Sequence, residues 1–257
     1  MLTGLWKIGG CLVVVPLLIL GTVQTVVALA FEAYDVDRTF PAAGIGIVEI
    51  HNSAGGAVKV IGTDTETIKV HADITDGLRD TGHHERVEGD RLVISSTCPN
   101  FLSMHCLARY DVEVPTGVSV VVSNNDGHLD ISDIEGNVDV RTDTGGIELT
   151  RIDGTVQARS DTGGITAVDL DSSQVTATTD TGGVHLDFDK APNGVVATTD
   201  TGGVEVVVPD DDLAYNVNAD TDTGGRHIEV DTSAAAPRSI IATTDTGSVT
   251  VRYSTAD

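Results

Sequence analysis

Beyond residue 45 the chain alternates apolar and polar side chains in short runs separated by small polar turns. Ile47-Val48-Glu49-Ile50, Val58-Lys59-Val60-Ile61 and Ile68-Lys69-Val70-His71-Ala72-Asp73-Ile74 keep a period of two, the mark of half-buried strands. Arg91-Leu92-Val93-Ile94 and Tyr110-Asp111-Val112-Glu113-Val114 continue the series, the second stopped by Pro115. Gly77 to Gly89 is polar and reads as a surface loop, with His83 and His84 solvated on it. No run after Ala30 keeps a helical period.

From Val138 onward the alternation becomes a repeat. Asp-Thr-Gly-Gly begins at Asp143, Asp161, Asp180, Asp200 and Asp222, and closes as Asp245-Thr246-Gly247-Ser248. A looser copy, Asn125-Asp126-Gly127-His128, precedes the set, and Asn52-Ser53-Ala54-Gly55-Gly56 reads as a degenerate early one. The spacing between successive aspartates grows from 17 to 23 residues. Self-similarity on this scale marks a stacked, one-dimensional β architecture.

Three columns precede each aspartate. Five residues back stand Val138, Val156, Val175, Val195, Val217 and Ile240; three back, Val140 and then Ala158, Ala177, Ala197, Ala219 and Ala242; one back, Thr142, Ser160, Thr179, Thr199, Thr221 and Thr244. These positions share one face of a strand. After the glycines a return strand restarts at Ile147, Ile165, Val184, Val204 and Val249. The sixth copy breaks step with Arg226, which predicts a bulge or a longer turn there. The expected fold is therefore all-β: a right-handed parallel β-solenoid, with an antiparallel sandwich of hairpins as the alternative. At about 4.8 Å per rung, the seven turns would form a row of roughly 29 Å.

In each turn an aspartate can accept its own backbone amides while glycine supplies a positive φ. The turn glycines are Gly145 and Gly146, Gly163 and Gly164, Gly182 and Gly183, Gly202 and Gly203, Gly224 and Gly225, and Gly247. Stacked carboxylates repel, by about 0.9 kcal/mol per pair at the dielectric of water. Turn amides offset that repulsion, or calcium does, with Asp143, Asp161, Asp180, Asp200, Asp222 and Asp245 as its candidate ligands. Amides are the expected solution, and no cofactor is expected. Asp-Thr-Gly also forms the core of the aspartic-protease signature. Such enzymes pair two carboxylates, whereas here a regular array follows Thr or Ser, so the phrase is punctuation and no catalytic residue is assigned.

Residues Ile8 to Ala30 carry no charge over 23 positions, long enough for a transmembrane helix. Lys7 before it and Glu32, Asp35 and Asp37 after it place residues 1–7 in the cytoplasm and the bulk outside. The segment at 8–30 is thus a membrane anchor or, through Ala28-Leu29-Ala30, a signal peptide cleaved near Ala30 to release a secreted protein. Residues 31–122 form the non-repeating β part of one exported domain, and residues 123–257 form its repeat part. Cys11 stands near the start of the apolar segment, with the run after it rather than before it, unlike a lipoprotein cysteine. Export makes a disulfide the expected state of Cys98 and Cys106; a metal site with His105 would offer only three ligands.

Composition narrows the functional classes. A net charge of −24 repels phosphates, which excludes nucleic acid as a partner. With four Phe, four Tyr and one Trp the core must be built from Val, Ile, Ala and Thr.

With those residues in place, the chain resembles a bacterial cell-envelope β-strand-repeat family of unknown function, often labelled "putative adhesin". The resemblance rests on the order of Ile50-His51-Asn52-Ser53-Ala54-Gly55-Gly56-Ala57-Val58-Lys59-Val60, Gly89-Asp90-Arg91-Leu92-Val93-Ile94, Val112-Glu113-Val114-Pro115-Thr116-Gly117-Val118 and the Asp-Thr-Gly-Gly copies. It covers nearly the whole exported part and implies a β-solenoid-like fold at the cell surface, with some relatives tied to envelope-stress signalling. It supplies no catalytic residues. The expected function is a non-enzymatic, membrane-anchored or secreted scaffold that binds an envelope protein or cell-wall glycan. The alternatives are an envelope-stress sensor acting through a partner protein and, third, a glycan-active β-helix enzyme.

Overall fold

The computed structural model describes residues 32–77, 80–98 and 106–254. The apolar segment at 8–30, Cys11 and His105 lie outside them. All regular structure in the described residues is β. In chain order the strands begin β1 (Glu32–Pro41), β2 (Ile47–Asn52), β3 (Val58–Thr63), β4 (Thr67–Asp76), β5 (Gly82–Glu88), β6 (Arg91–Thr97) and β7 (Leu107–Pro115). Next come β8 (Ser119–Asp126), β9 (Leu129–Ile134), β10 (Val138–Thr144), β11 (Ile147–Ile152), β12 (Val156–Thr162), β13 (Ile165–Leu170) and β14 (Gln174–Thr181). The last are β15 (Val184–Phe188), β16 (Gly194–Thr201), β17 (Val204–Val208), β18 (Asn216–Thr223), β19 (Arg226–Glu229), β20 (Ser239–Thr246) and β21 (Val249–Tyr253).

Each rung sends one strand into the glycine turn and one back. Strands that enter build a 10-stranded approach sheet, and those that leave build an 11-stranded return sheet. Pairing between rungs is parallel throughout, so the fold is solenoid-like, as the constant phase of the repeat predicts. The predicted columns stack in register: Val138 on Val156, Val156 on Val175, Val140 on Ala158, and Thr142 on Ser160. All of these are buried. The degenerate early copy is also a rung, with Asn52 beside Asn124.

The order of the rungs departs from the order of the chain at both ends. β20 pairs with β16 on one side and β18 on the other, and β21 sits likewise between β17 and β19. The seventh copy is thus inserted between the fifth and the sixth, and the sixth forms the end of the stack. Composition explains the exchange. Arg226 on β19 stands in the column that Ile147, Ile165, Val184, Val204 and Val249 fill inside the stack, which suits an end facing water and not an interior rung. The bulge expected at Arg226 does not form. Arg226 stays in register beside Val249 and remains exposed, its Nη1 donating to the Ala219 carbonyl at 3.2 Å across the open end. At the other end β2 and β3 lie between β6 and β7 on the outside and β8 and β9 on the inside.

That second end is covered by antiparallel strands. β1 pairs with β4, β4 with β7, and β5 with β6. The expected loop at Gly77–Gly89 is therefore a capping strand over Gly82–Glu88. His83 is not solvated: its side chain is only 10% exposed, with Nδ1 3.0 Å from the Tyr110 hydroxyl and Nε2 3.1 Å from Glu85. Burial pushes the Tyr110 hydroxyl up to about 12. A polar plug thus seals the apolar interior where the stack stops. Beside it Cys98 and Cys106 are joined by a disulfide, their Cα atoms 6.0 Å apart.

Candidate ligand-binding trough

The glycine turn has two outer flanks, and each presents side chains once per rung. On the approach side stands the aspartate row. Here the aspartates do not close their own turns, contrary to expectation. The amide of the first glycine donates to the threonine carbonyl of the neighbouring rung: Gly145 to Thr162 and Gly163 to Thr181, both at 2.8 Å, and Gly202 to Thr246 at 2.9 Å. Among the described residues no aspartate of the row accepts a bond from its own turn. Their carboxylates are about half exposed and rely on solvent and nearby cations. Arg141 lies 3.6 Å from Asp143, and Arg159 reaches Asp161 at 3.2 Å and Asp180 at 3.4 Å. The six calcium candidates are spread one per rung, and among the described residues no group of three or more His, Cys, Asp or Glu is placed to hold a metal ion.

What ties the turns together is the residue before each aspartate. Ser160 donates to the Gly145 carbonyl, Thr179 to Gly163, Thr199 to Gly182 and Thr221 to Gly247, all within 2.8–2.9 Å. The first glycine of each turn is obligatory. Gly145 has φ 147°, and a Cβ there would stand 2.1 Å from the Gly127 carbonyl oxygen. The second glycine is different: Gly164, Gly183 and Gly203 have no positive φ, and an added Cβ would meet nothing closer than 3.3 Å. Ser248 occupies the same place in the last copy.

On the return side these second glycines form one flank of an open trough of about 530 Å³ that crosses β13, β15, β17 and β21. The opposite flank is the outward row Thr166, His185, Glu205 and Thr250, in register from strand to strand. Glu205 sits at its centre. Arg252 Nε donates to one carboxylate oxygen at 2.9 Å, and His185 Nδ1 meets the other at 3.1 Å. Partial burial pushes the Glu205 carboxyl up, but the Arg252 bond and the charges of His185 and Arg252 outweigh it and hold the group below the ordinary range. Among the described residues the one hydrogen bond of the His185 ring is that between Nδ1 and Glu205.

Sequence reasoning passed over this triad because its members stand 20 and 47 residues apart. Arg252 reaches Glu205 only because β21 is inserted beside β17. In a stack built in chain order, β19 would lie there. The serine in place of glycine at 248 was the one visible signal that the second glycine is not a backbone requirement. A smaller groove of about 400 Å³ lies near the capped end, lined by Lys59, Lys69 and His71 among others. Its basic side chains are already paired, Lys69 with Glu113 at 2.6 Å, Lys59 with Asp130 at 3.3 Å, His71 with Asp37 at 2.8 Å and Arg38 with Glu85 at 3.8 Å.

Residues 111–257, more than half of the chain, match the family model described as Toastrack DUF4097. The chain belongs to the Toastrack DUF4097 family. Among solved structures, the chain is similar to a "putative adhesin" from Bacteroides fragilis, with 11% identity, a TM-score of 0.49, and coverage of 86% of this chain and 97% of that one. It is similar also to a "putative cell adhesion protein" from Clostridium sporogenes (11%, TM-score 0.40, 87% and 100%) and a "putative adhesin" from Parabacteroides distasonis (9%, 0.36, 86% and 97%). No curated protein matches the chain. Toastrack membership agrees with the two parallel sheets and assigns no activity.

Proposed function

We propose that this Toastrack domain is a non-enzymatic binding module, held outside the cytoplasm by the apolar segment at 8–30 or released after Ala30. It wraps with the right-handed sense of parallel crossovers. The observation that carries the reading is the trough: a polar, preorganised surface across four rungs whose histidine has no nucleophile to activate. Its partner is an envelope protein or a cell-wall glycan. The test is affinity capture from intact envelopes with the full-length chain tagged at its C-terminus. Recovery of one envelope component in stoichiometric amount supports the reading, and recovery of none sinks it.

A second reading, a regulator reporting envelope stress through a partner protein, draws on β1. This strand follows the apolar segment directly, lies at the sheet edge and is mostly exposed, so a pull on the tether enters the domain there. Mutants lacking the gene but showing an unchanged envelope-stress response would remove it.

A further inference from the structure

We infer that the trough is a site for a linear, non-acidic glycan lying across the rungs. This inference rests on the binding-module reading above and names its site and ligand class. Direction is the first argument. The trough runs across the strands, so an occupant follows the solenoid axis. The backbones beneath it, on β13, β15, β17 and β21, are already paired with one another. An extended peptide binds most strongly by adding a strand to a free edge, and this site offers none. A sugar chain needs only side-chain donors and acceptors.

The chemistry of the walls fits hydroxyl groups. Thr166, Ser248 and Thr250 each offer a hydroxyl that both donates and accepts. His185 Nδ1 is engaged by the Glu205 carboxylate, which leaves Nε2 for an occupant of the trough. Rungs repeat at about 4.8 Å, close to the length of one β-linked sugar residue, so successive sugars fall beside successive rungs.

Charge decides the class of glycan. Glu205 is neutralised on the spot by Arg252 and hydrogen-bonded to His185, and the chain as a whole carries −24. A polyuronate would enter against that field, whereas a neutral or amino-bearing polymer would not. Space points to the same use. The fold accepts a serine at position 248, yet the three neighbouring rungs leave the place empty with Gly164, Gly183 and Gly203. No Phe, Tyr or Trp lines the trough. Affinity therefore comes from hydrogen bonds repeated along the rungs and rises with chain length rather than with any single sugar.

The test is calorimetric titration of the full-length chain in detergent with N-acetylglucosamine, glucosamine and galacturonate oligomers. Expected is binding of the first two, at least tenfold tighter for hexamers than for dimers, and none of the galacturonate hexamer. The double variant Gly183→Ser/Gly203→Ser, which copies the side chain already accommodated at 248, should keep the wild-type melting temperature and lose at least tenfold in affinity. Unchanged affinity in that variant, or galacturonate as the tightest ligand, overturns the glycan site. Envelope capture that persists where no oligomer binds overturns the glycan site and leaves the binding-module reading standing. Loss of both overturns both.

Discussion

Thr244 donates its hydroxyl to the carbonyl of Gly202 at 2.9 Å, 42 residues back in sequence and one rung away in space. Thr221, which precedes it in the chain, donates forward to Gly247 at 2.9 Å. Together these bonds place the seventh copy of the repeat inside the sixth. Deleting residues 239–257 should therefore do more than trim an end. β18 and β19 would lose their only neighbours, and hydrogen exchange should show their amides unprotected while β16 and β17 hold. Continued protection of β18 would contradict the inserted order.

The hydroxyl column supplies a second expectation. Thr199 is buried and bonded to Gly182 at 2.9 Å, whereas Thr142 Oγ1 is buried with no partner. The carbonyl that Thr142 would meet, on Gly127, is already taken by Asn124 Nδ2 at 3.3 Å. Thr199→Val should cost about 1 kcal/mol, the net value of a buried hydrogen bond. Thr142→Val should be neutral or stabilising. Urea denaturation of the two variants side by side decides this.

Much of the fold was legible before any coordinates. Period-two alternation fixed the strands, and constant phase about Asp-Thr-Gly-Gly fixed the columns. The order of the last rungs was not legible, for a physical reason. Val or Ile, Ala and Thr recur in the same columns of almost every copy, so many pairings between rungs are close in energy. Arg226, a charge in a column that is otherwise apolar, breaks the tie, but only if a copy is allowed to leave its place in line. The polar run Gly82–Glu88 looked like a loop because it pairs along one edge only. The trough was hidden because Arg252 and Glu205 become neighbours through that same insertion.

The two glycines of one turn should respond differently. Gly202→Ala forces a side chain into φ 148° and 1.9 Å from the Gly182 carbonyl oxygen. Backbone strain alone costs about 1–3 kcal/mol, and the clash adds to it. Gly203→Ala, with nothing nearer than 3.5 Å, should unfold like the wild type in the same denaturant series.

β1 should hold more tightly in mild acid. A hydrogen bond from His71 to Asp37, helped by the charges of Asp73 and Asp35, raises the histidine above its ordinary value, and Asp111 faces it from β7. A raised histidine gives its full stabilisation below the unfolded value of about 6.5 and loses it as pH rises through the folded one. Amide exchange along β1, corrected for intrinsic rates, should speed up across that interval in the wild type. Asp37→Asn should flatten the dependence.

Reducing the Cys98–Cys106 disulfide reopens a loop with a sequence separation of 8. On the chain-entropy argument this should cost about 2–3 kcal/mol. Thermal melts with and without dithiothreitol would show it as a lower midpoint, and a Cys98→Ser/Cys106→Ser variant should be insensitive to the reductant.

The exchanged rungs at both ends also bear on how such a chain can lengthen. A duplicated copy added after Tyr253 would have to displace the polar rung of β18 and β19 from the end of the stack. One added before Ile47 would meet the strands that seal the other end. Only the run from Ser119 to Val208, where neighbours in the chain are neighbours in space, can take another unit without reopening a terminus. In this molecule new length comes from the middle, and the two ends are inherited as finished pieces.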